Sequence, residues 1–224
     1  MLDSLDNPIW SALTTEHQHL ARSHGLARRY QPDVSPFAAF LHPTKDAFAD
    51  LQRLVTPGEH VAFFTASPFD VPGGWQVDRS RWIDQMICDT SLAAPPLAPL
   101  PLGTTDVPEM LELTAATDPG PFLPQTIQMG SYFGIRAGDG RLVAMAGERL
   151  QSTAFSEISA VCTLPEFRGR GYARGLVTFL AAQILATGKT PFLHVKSENG
   201  AKVVYQKIGF RIRAEIWLTV ISFR

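Results

Sequence analysis

Disulfide chemistry is all but missing from this chain: Cys88 and Cys162 are its only cysteines. Two thiols do not make a disulfide framework. A surplus of either charge is missing too. Twenty Lys and Arg face 21 Asp and Glu, for a net charge of −1 and a pI of about 6.6. No basic field exists to hold nucleic acid, and that partner is set aside. No apolar run reaches bilayer-spanning length, so no membrane partner is expected. Met1-Leu2-Asp3-Ser4-Leu5-Asp6 carries acids where a signal peptide would carry Lys or Arg. Cytoplasmic residence follows as the expectation. His17, His19 and His24 form the closest histidine group, yet no convergent ligand spacing accompanies them. No metal is expected, and these histidines read as helix-surface residues. What remains is 45% hydrophobic and 18% charged across 224 residues, the make-up of an ordinary globular protein of one large or two small domains.

The clearest composition break runs from Leu92 to Gly103, with prolines at 95, 96, 99 and 101. Proline forbids a helix there and disfavours a central strand. A linker running into an edge strand is expected, dividing the chain into residues 1–94 and 95–224. The first part reads as a smaller α/β region. Pro8 to about His24 has helical spacing, with Trp10, Leu13, His17, Leu20 and Ala21 on one side. Ala38 to Leu41 and His60 to Thr65 read as strands. Lys45 to Val55 and Ser80 to Cys88 read as helices. Arg28-Arg29 reads as a solvated surface pair.

Signals sharpen after the break. A helix opens near Asp106 with Pro108 in its first turn. Tyr132 to Arg136 and Leu142 to Leu150 are strands around the hairpin turn Gly138-Asp139-Gly140. Phe155 to Thr163 is another strand. It runs into Arg168-Gly169-Arg170-Gly171-Tyr172-Ala173, and a helix with Leu176, Val177, Leu180 and Ile184 on one face follows. Glycines at a strand-to-helix junction let backbone N–H groups approach a phosphate, and the helix dipole favours an anion at the same place. The arginines add charge-assisted donors. The loop lacks the Gly-Lys-Ser/Thr ending of a P-loop, and Arg174 stands where a dinucleotide fold needs its third glycine. Phe192 to Val195 is a strand, Asn199 to Ile208 a helix, and Trp217 to Phe223 a closing strand.

Arg168, Gly171 and Ala173 fill the fixed places of Gln/Arg-x-x-Gly-x-Gly/Ala, and Asn199, Ala201, Tyr205 and Gly209-Phe210 follow at a second characteristic spacing. In both respects the chain resembles the GCN5-related N-acetyltransferase (GNAT) superfamily, with a carboxy-terminal domain similar to its FR47-like branch. The order of elements agrees from about residue 96 to 224. The fold class this implies is α/β (α+β), a mixed, mostly antiparallel sheet flanked by helices, with residues 1–94 a degenerate GNAT-like half.

The resemblance implies acetyl-CoA as donor and no metal. It implies that Arg168, Gly169, Arg170, Gly171, Tyr172 and Ala173 cradle the pyrophosphate. Main chain at Val161, Cys162 and Thr163 would hold the pantetheine arm, and Asn199 would contact it or order the following helix. Tyr205 would protonate the departing sulfur. Glu157, eleven positions before Arg168, matches the general-base glutamate of the histone-acetylating branch. Strand alternation would put it on one face with Ser159, Val161 and Thr163, and apolar neighbours would raise its pKa. Glu148 and His194 compete for that role. Phe122, Thr126 and His194 are candidates for the acceptor pocket. Cys162 reads as a small buried residue rather than a nucleophile. The implied activity is transfer of an acetyl group to a primary amine, on a small molecule or a peptide, in a protein that can form homodimers. The alternative is an acyl-CoA-binding sensor without turnover.

Overall fold

The computed structural model describes residues 4–90, 92 and 97–224. Its elements, in chain order, are α1 (Pro8–Thr14), β1 (Ala21–His24), β2 (Ala27–Tyr30), β3 (Ala38–Phe40), α2 (Lys45–Gln52), β4 (His60–Thr65), β5 (Trp75–Ile87), β6 (Leu100–Leu102), α3 (Val107–Thr117), β7 (Tyr132–Arg136), β8 (Leu142–Gln151), β9 (Phe155–Thr163), α4 (Tyr172–Ala186), β10 (Thr190–Val195), α5 (Ala201–Ile208) and β11 (Arg211–Phe223). One eight-stranded sheet has the order β4-β11-β5-β10-β9-β8-β7-β6, and β1, β2 and β3 form a small second sheet. In the large sheet β9 and β10 are parallel, and the other neighbours are antiparallel.

The expected boundary at 94/95 lies outside the described residues, as do Met1, Leu2, Asp3, Pro95 and Pro96. The large sheet joins the segments on either side of it. β5 lies between β10 and β11, pairing His194 with Gln85 and Trp217 with Trp82. That pairing corrects the helix expected over 80–88. Trp82, Ile83, Met86 and Ile87 have near-helical spacing, but two flanking ladders take the backbone bonds of this segment. The helix expected from Pro8 to His24 also ends early, at Thr14. Thr14 and Thr15 donate their hydroxyls back to Trp10 and Ser11 carbonyls, competing with the helical ladder. The chain then passes through a 3-10 turn into β1.

α4 and α5 cover one face of the sheet. Leu176, Val177, Leu180, Ala181 and Ile184 of α4 pack on Ala144, Ala146, Ile158 and Leu193. Burying each large side chain of this stripe contributes about 1.5–3 kcal/mol, and Leu180→Ala should cost about 2–5 kcal/mol. On the other face α3 covers Met145, Ala160 and Cys162. Beside it α1, β2 and β3 close over Phe64, Ile83, Phe192 and Ile216.

This amino-terminal layer contains two departures from expectation. Arg29 is fully buried, donating to the Tyr30 and Leu54 carbonyls and to Glu59. His17 is also buried, with Nδ1 at 2.8 Å from the Tyr30 hydroxyl. Burial lowers its pKa to about 4, so the ring is neutral at pH 7. Neither residue is part of a solvated surface.

Candidate active site

The sheet opens at β9. Its parallel ladder with β10 joins only Phe155–Glu157 to Thr190–Phe192. Beyond Glu157 the two strands part, and the β10-facing edge of residues 158–163 has no strand beside it. Ala160 marks the opening with a left-handed φ of 52°. The register steps from Gly147↔Ser159 to Met145↔Cys162, so two residues of β9 oppose one of β8. This is a β-bulge, a device that re-aims backbone and side chains beside functional sites. Ile158 and Val161 consequently pack on the α4 side, while Ala160 and Cys162 pack on the α3 side. The expected alternation that would align Glu157 with Val161 is broken.

Two cavities meet at this bulge. The first, of about 660 Å³, is lined by Thr117, Val161, Cys162, Thr163, residues 167–169, Gly171, the first turn of α4, Asn199 and Tyr205 among others. Gly169 and Gly171 have φ of 77° and 79°, and a Cβ added at either would meet nothing within 4 Å. Gly171 is the N-cap of α4 and supplies no side-chain acceptor. The first N–H groups of a 15-residue helix are therefore left to face an incoming anion. Arg168 reaches back to the Thr163 carbonyl at 3.3 Å. Arg170 stacks on Phe167 at 4.7 Å and is outside the cavity lining, whereas Arg174 and Lys207 line it. Sequence reasoning passed over both cations; Arg174 was legible as a first-turn residue of α4, and Lys207 had no such signal. Asn199 accepts from the Ala201 N–H at 2.9 Å and so orders the start of α5. Burial pushes the Cys162 thiol up to about 11, which keeps it protonated.

The second cavity, of about 810 Å³, lies between the α3–β7 connection, the bulge, the end of β10 and the outer part of β5. Val161, Asn199 and Tyr205 line both cavities. Tyr205 is 9% exposed, and burial pushes its phenol up to about 12. Phe122 and His194 line the second cavity. Thr126 does not. It is buried, its hydroxyl accepting from the Leu123 N–H and donating to the Val34 carbonyl, both at 2.7 Å. This corrects its expected place on the acceptor wall.

Glu157 also differs from expectation. It is fully buried and takes a two-pronged contact from Arg149, at 2.8 Å from Nε and 2.7 Å from Nη2. His194 Nδ1 lies 2.7 Å from the same carboxylate. Burial alone would raise the carboxyl, but Arg149 and then His194 outweigh it and hold the pKa at about 2. The expected raised pKa is thus reversed, because a charged partner stands where apolar neighbours were anticipated. Gln85 completes the arrangement. Its amide donates to the Leu5 carbonyl and lies 3.1 Å from His194 Nε2, while its oxygen accepts from Arg213. With Nε2 accepting from Gln85, His194 carries its proton on Nδ1 and donates it to Glu157. Glu148, the other competing base, accepts from Ser156 at 2.5 Å. Arg149 was the missed partner; a lone cation in the apolar strand 142–150 was its signal.

Residues 132–218 match the FR47-like protein family. A Novosphingobium aromaticivorans protein assigned to the GNAT acetyltransferases superposes with a TM-score of 0.91 at 35% identity, covering all of both chains. The chain belongs to the GNAT family. A GCN5-related N-acetyltransferase from Kribbella flavida shares the GNAT fold at TM-score 0.60 and 16% identity, over 95% of each chain. A GCN5-related N-acetyltransferase-like protein from Streptococcus suis does so at 0.56 and 15%, over 97% of this chain and 92% of its own. No curated protein sequence matches the chain. Among the described residues no helix is long and apolar enough to cross a membrane, and no group of three or more His, Cys, Asp or Glu could hold a metal ion.

Proposed function

We propose that this GNAT protein is an N-acetyltransferase that moves an acetyl group from acetyl-CoA to a primary amine by direct attack. The observation that carries this reading is the meeting of two cavities at Val161 and Tyr205. The donor fits the first cavity by chemistry. The uncapped start of α4 and the open glycines suit a pyrophosphate, and the unpaired edge of residues 158–163 suits an amide-bearing arm. Arg168 and Arg174 add positive charge at the phosphate end.

At the junction the chain has three tasks. The main chain near Val161 stabilises negative charge on the thioester oxygen, an effect worth a few kcal/mol of barrier. Tyr205 stays protonated at neutral pH and donates to the departing sulfur. The second cavity orients the neutral amine. As the C–N bond forms and the C–S bond breaks, the nitrogen releases one proton to solvent, sulfur takes the proton of Tyr205, and the phenol regains one from solvent. Glu157 acts by positioning: its charge is balanced by Arg149, and it fixes the His194 ring at the cavity floor. A carboxyl with a pKa of about 2 is a weak base at pH 7.

Thiol release from acetyl-CoA over a panel of amines tests the reading. Amine-dependent release, reduced in Tyr205→Phe, is the expected result. Tight coenzyme binding with no release for any amine would favour a sensor instead.

A further inference from the structure

The acceptor cavity is cationic, although the whole chain carries a net charge of −1. Four cations line it, Arg79, Arg81, Arg149 and Lys196, against one acid, Asp118. Arg149 is neutralised by Glu157. Of the other three, Arg79 and Lys196 are exposed and Arg81 is partly exposed, so they lie on the solvent side of the lining. Arg79 and Arg81 alternate with Ile83 and Gln85 along β5, so all four share the face that carries His194. Arg81 pairs with Glu198 at 3.0 Å, but both side chains are solvent-exposed, at 39% and 69%. Such a pair is readily exchanged for a ligand anion. Partial enclosure by the 118–123 segment strengthens the field felt inside.

This field repels a second cation. An acceptor with only an amine would meet three positive groups on entry, one of them paired with Glu198, and find one acid, Asp118, in the lining. An acceptor that also carries an anion would be drawn in and oriented, its anion at the mouth and its amine inward. Resting on the transferase reading above, we propose that the acceptor is a small amine bearing a carboxylate, held by Arg79, Arg81 and Lys196 while its amine reaches Val161 and Tyr205. Arginine is suited to this task because its planar fork meets a carboxylate with two parallel hydrogen bonds. Gln85, beside His194, and Arg81 are four residues apart on β5. At a rise of ~3.3 Å per residue that is roughly 13 Å along the strand, so amines several bonds from the carboxylate belong in the test.

The experiment uses the full chain and matched pairs: L-amino acids and ω-amino acids, each against its carboxamide, with aminoalkyl phosphates as a third arm. Coenzyme binding is measured separately by calorimetry. The expected result is a preference for carboxylate over carboxamide of about tenfold or more in kcat/KM, weakened by added salt. In Arg79→Gln/Arg81→Gln that ratio should fall below about threefold through a rise in KM, with Arg81→Lys recovering part of it. If no amine in the panel turns over, the same pairs are titrated into the CoA-loaded protein, where tighter binding of the carboxylate supports the proposal. Equal use or equal binding of carboxylate and carboxamide overturns it, as does a preference untouched by the double variant. A preference for the phosphates alone overturns the carboxylate assignment. Loss of coenzyme binding altogether would instead remove the transferase reading on which the proposal rests.

Discussion

The two cavities that meet at Val161 are built by different rules. The donor side is mostly backbone: two glycines with positive φ, an uncapped helix start and a strand edge opened by a bulge. Residues 161–174 supply most of it. The acceptor side is brought together from β5, α3 and its following loop, β8, β9, β10, α5 and β11, and it depends on their side chains. A main-chain cradle can be written in one short motif and is indifferent to most neighbouring residues. A side-chain pocket depends on partners more than a hundred positions apart, such as Gln85 with His194 and Arg81 with Glu198. The comparison teaches that, under the proposed reading, one side would fix the donor class while the other is free to set the acceptor.

The largest effect should come from the ion pair beneath the acceptor side. Glu157→Gln leaves Arg149 buried without its counter-charge and should cost about 3–5 kcal/mol of stability, measured by urea unfolding at pH 7. Acid titration separates this from simple packing. Because its folded pKa of about 2 lies below the ordinary 4.5, Glu157 stabilises the fold above about pH 4.5. That contribution is lost as pH falls toward 2. His17, lowered from 6.5 to about 4, adds a loss with the same sign between those values. Glu157→Gln should flatten the lower window and leave the upper one in place. A variant as stable as the parent, with an unchanged acid profile, would show that the pair does not hold this side together.

The donor side should break in binding rather than in stability. Gly171→Val forces a branched side chain into a left-handed backbone, a strain of about 1–3 kcal/mol, and projects bulk where the phosphates must sit. Coenzyme affinity should fall at least about 100-fold by calorimetry. Unchanged affinity would mean that the loop is not the cradle. At the junction, Tyr205→Phe should reduce kcat about 100-fold, the low end for proton donors, and leave coenzyme Kd within about twofold. Thr126→Val should have the smallest effect. It removes two hydrogen bonds from a buried hydroxyl, at about 1–2 kcal/mol of stability, and should not move acceptor KM. A KM shift would return Thr126 to the acceptor wall.

This division also explains what could be read in advance. β7, β8, β9, α4 and the phosphate loop were legible because their signals are local: period-two strands, a 3.6-period helix, glycines between them. β5 was not, since Trp82, Ile83, Met86 and Ile87 mimic a helix until β10 and β11 flank the segment. The bulge at Ala160 has no side-chain signature, so alternation misassigned the face of Glu157. Arg29 and Arg149 are cations buried by partners remote in sequence or on a neighbouring strand. Composition alone would leave both in solvent.

Calorimetric titration with coenzyme A, alongside pantetheine lacking the phosphates, tests most directly whether main-chain amides at residues 168–173 grip a pyrophosphate. Saturable binding of coenzyme A at micromolar concentration, with pantetheine at least about 100-fold weaker, is the result this account requires. Equal affinity for the two, or no heat with coenzyme A, would contradict it.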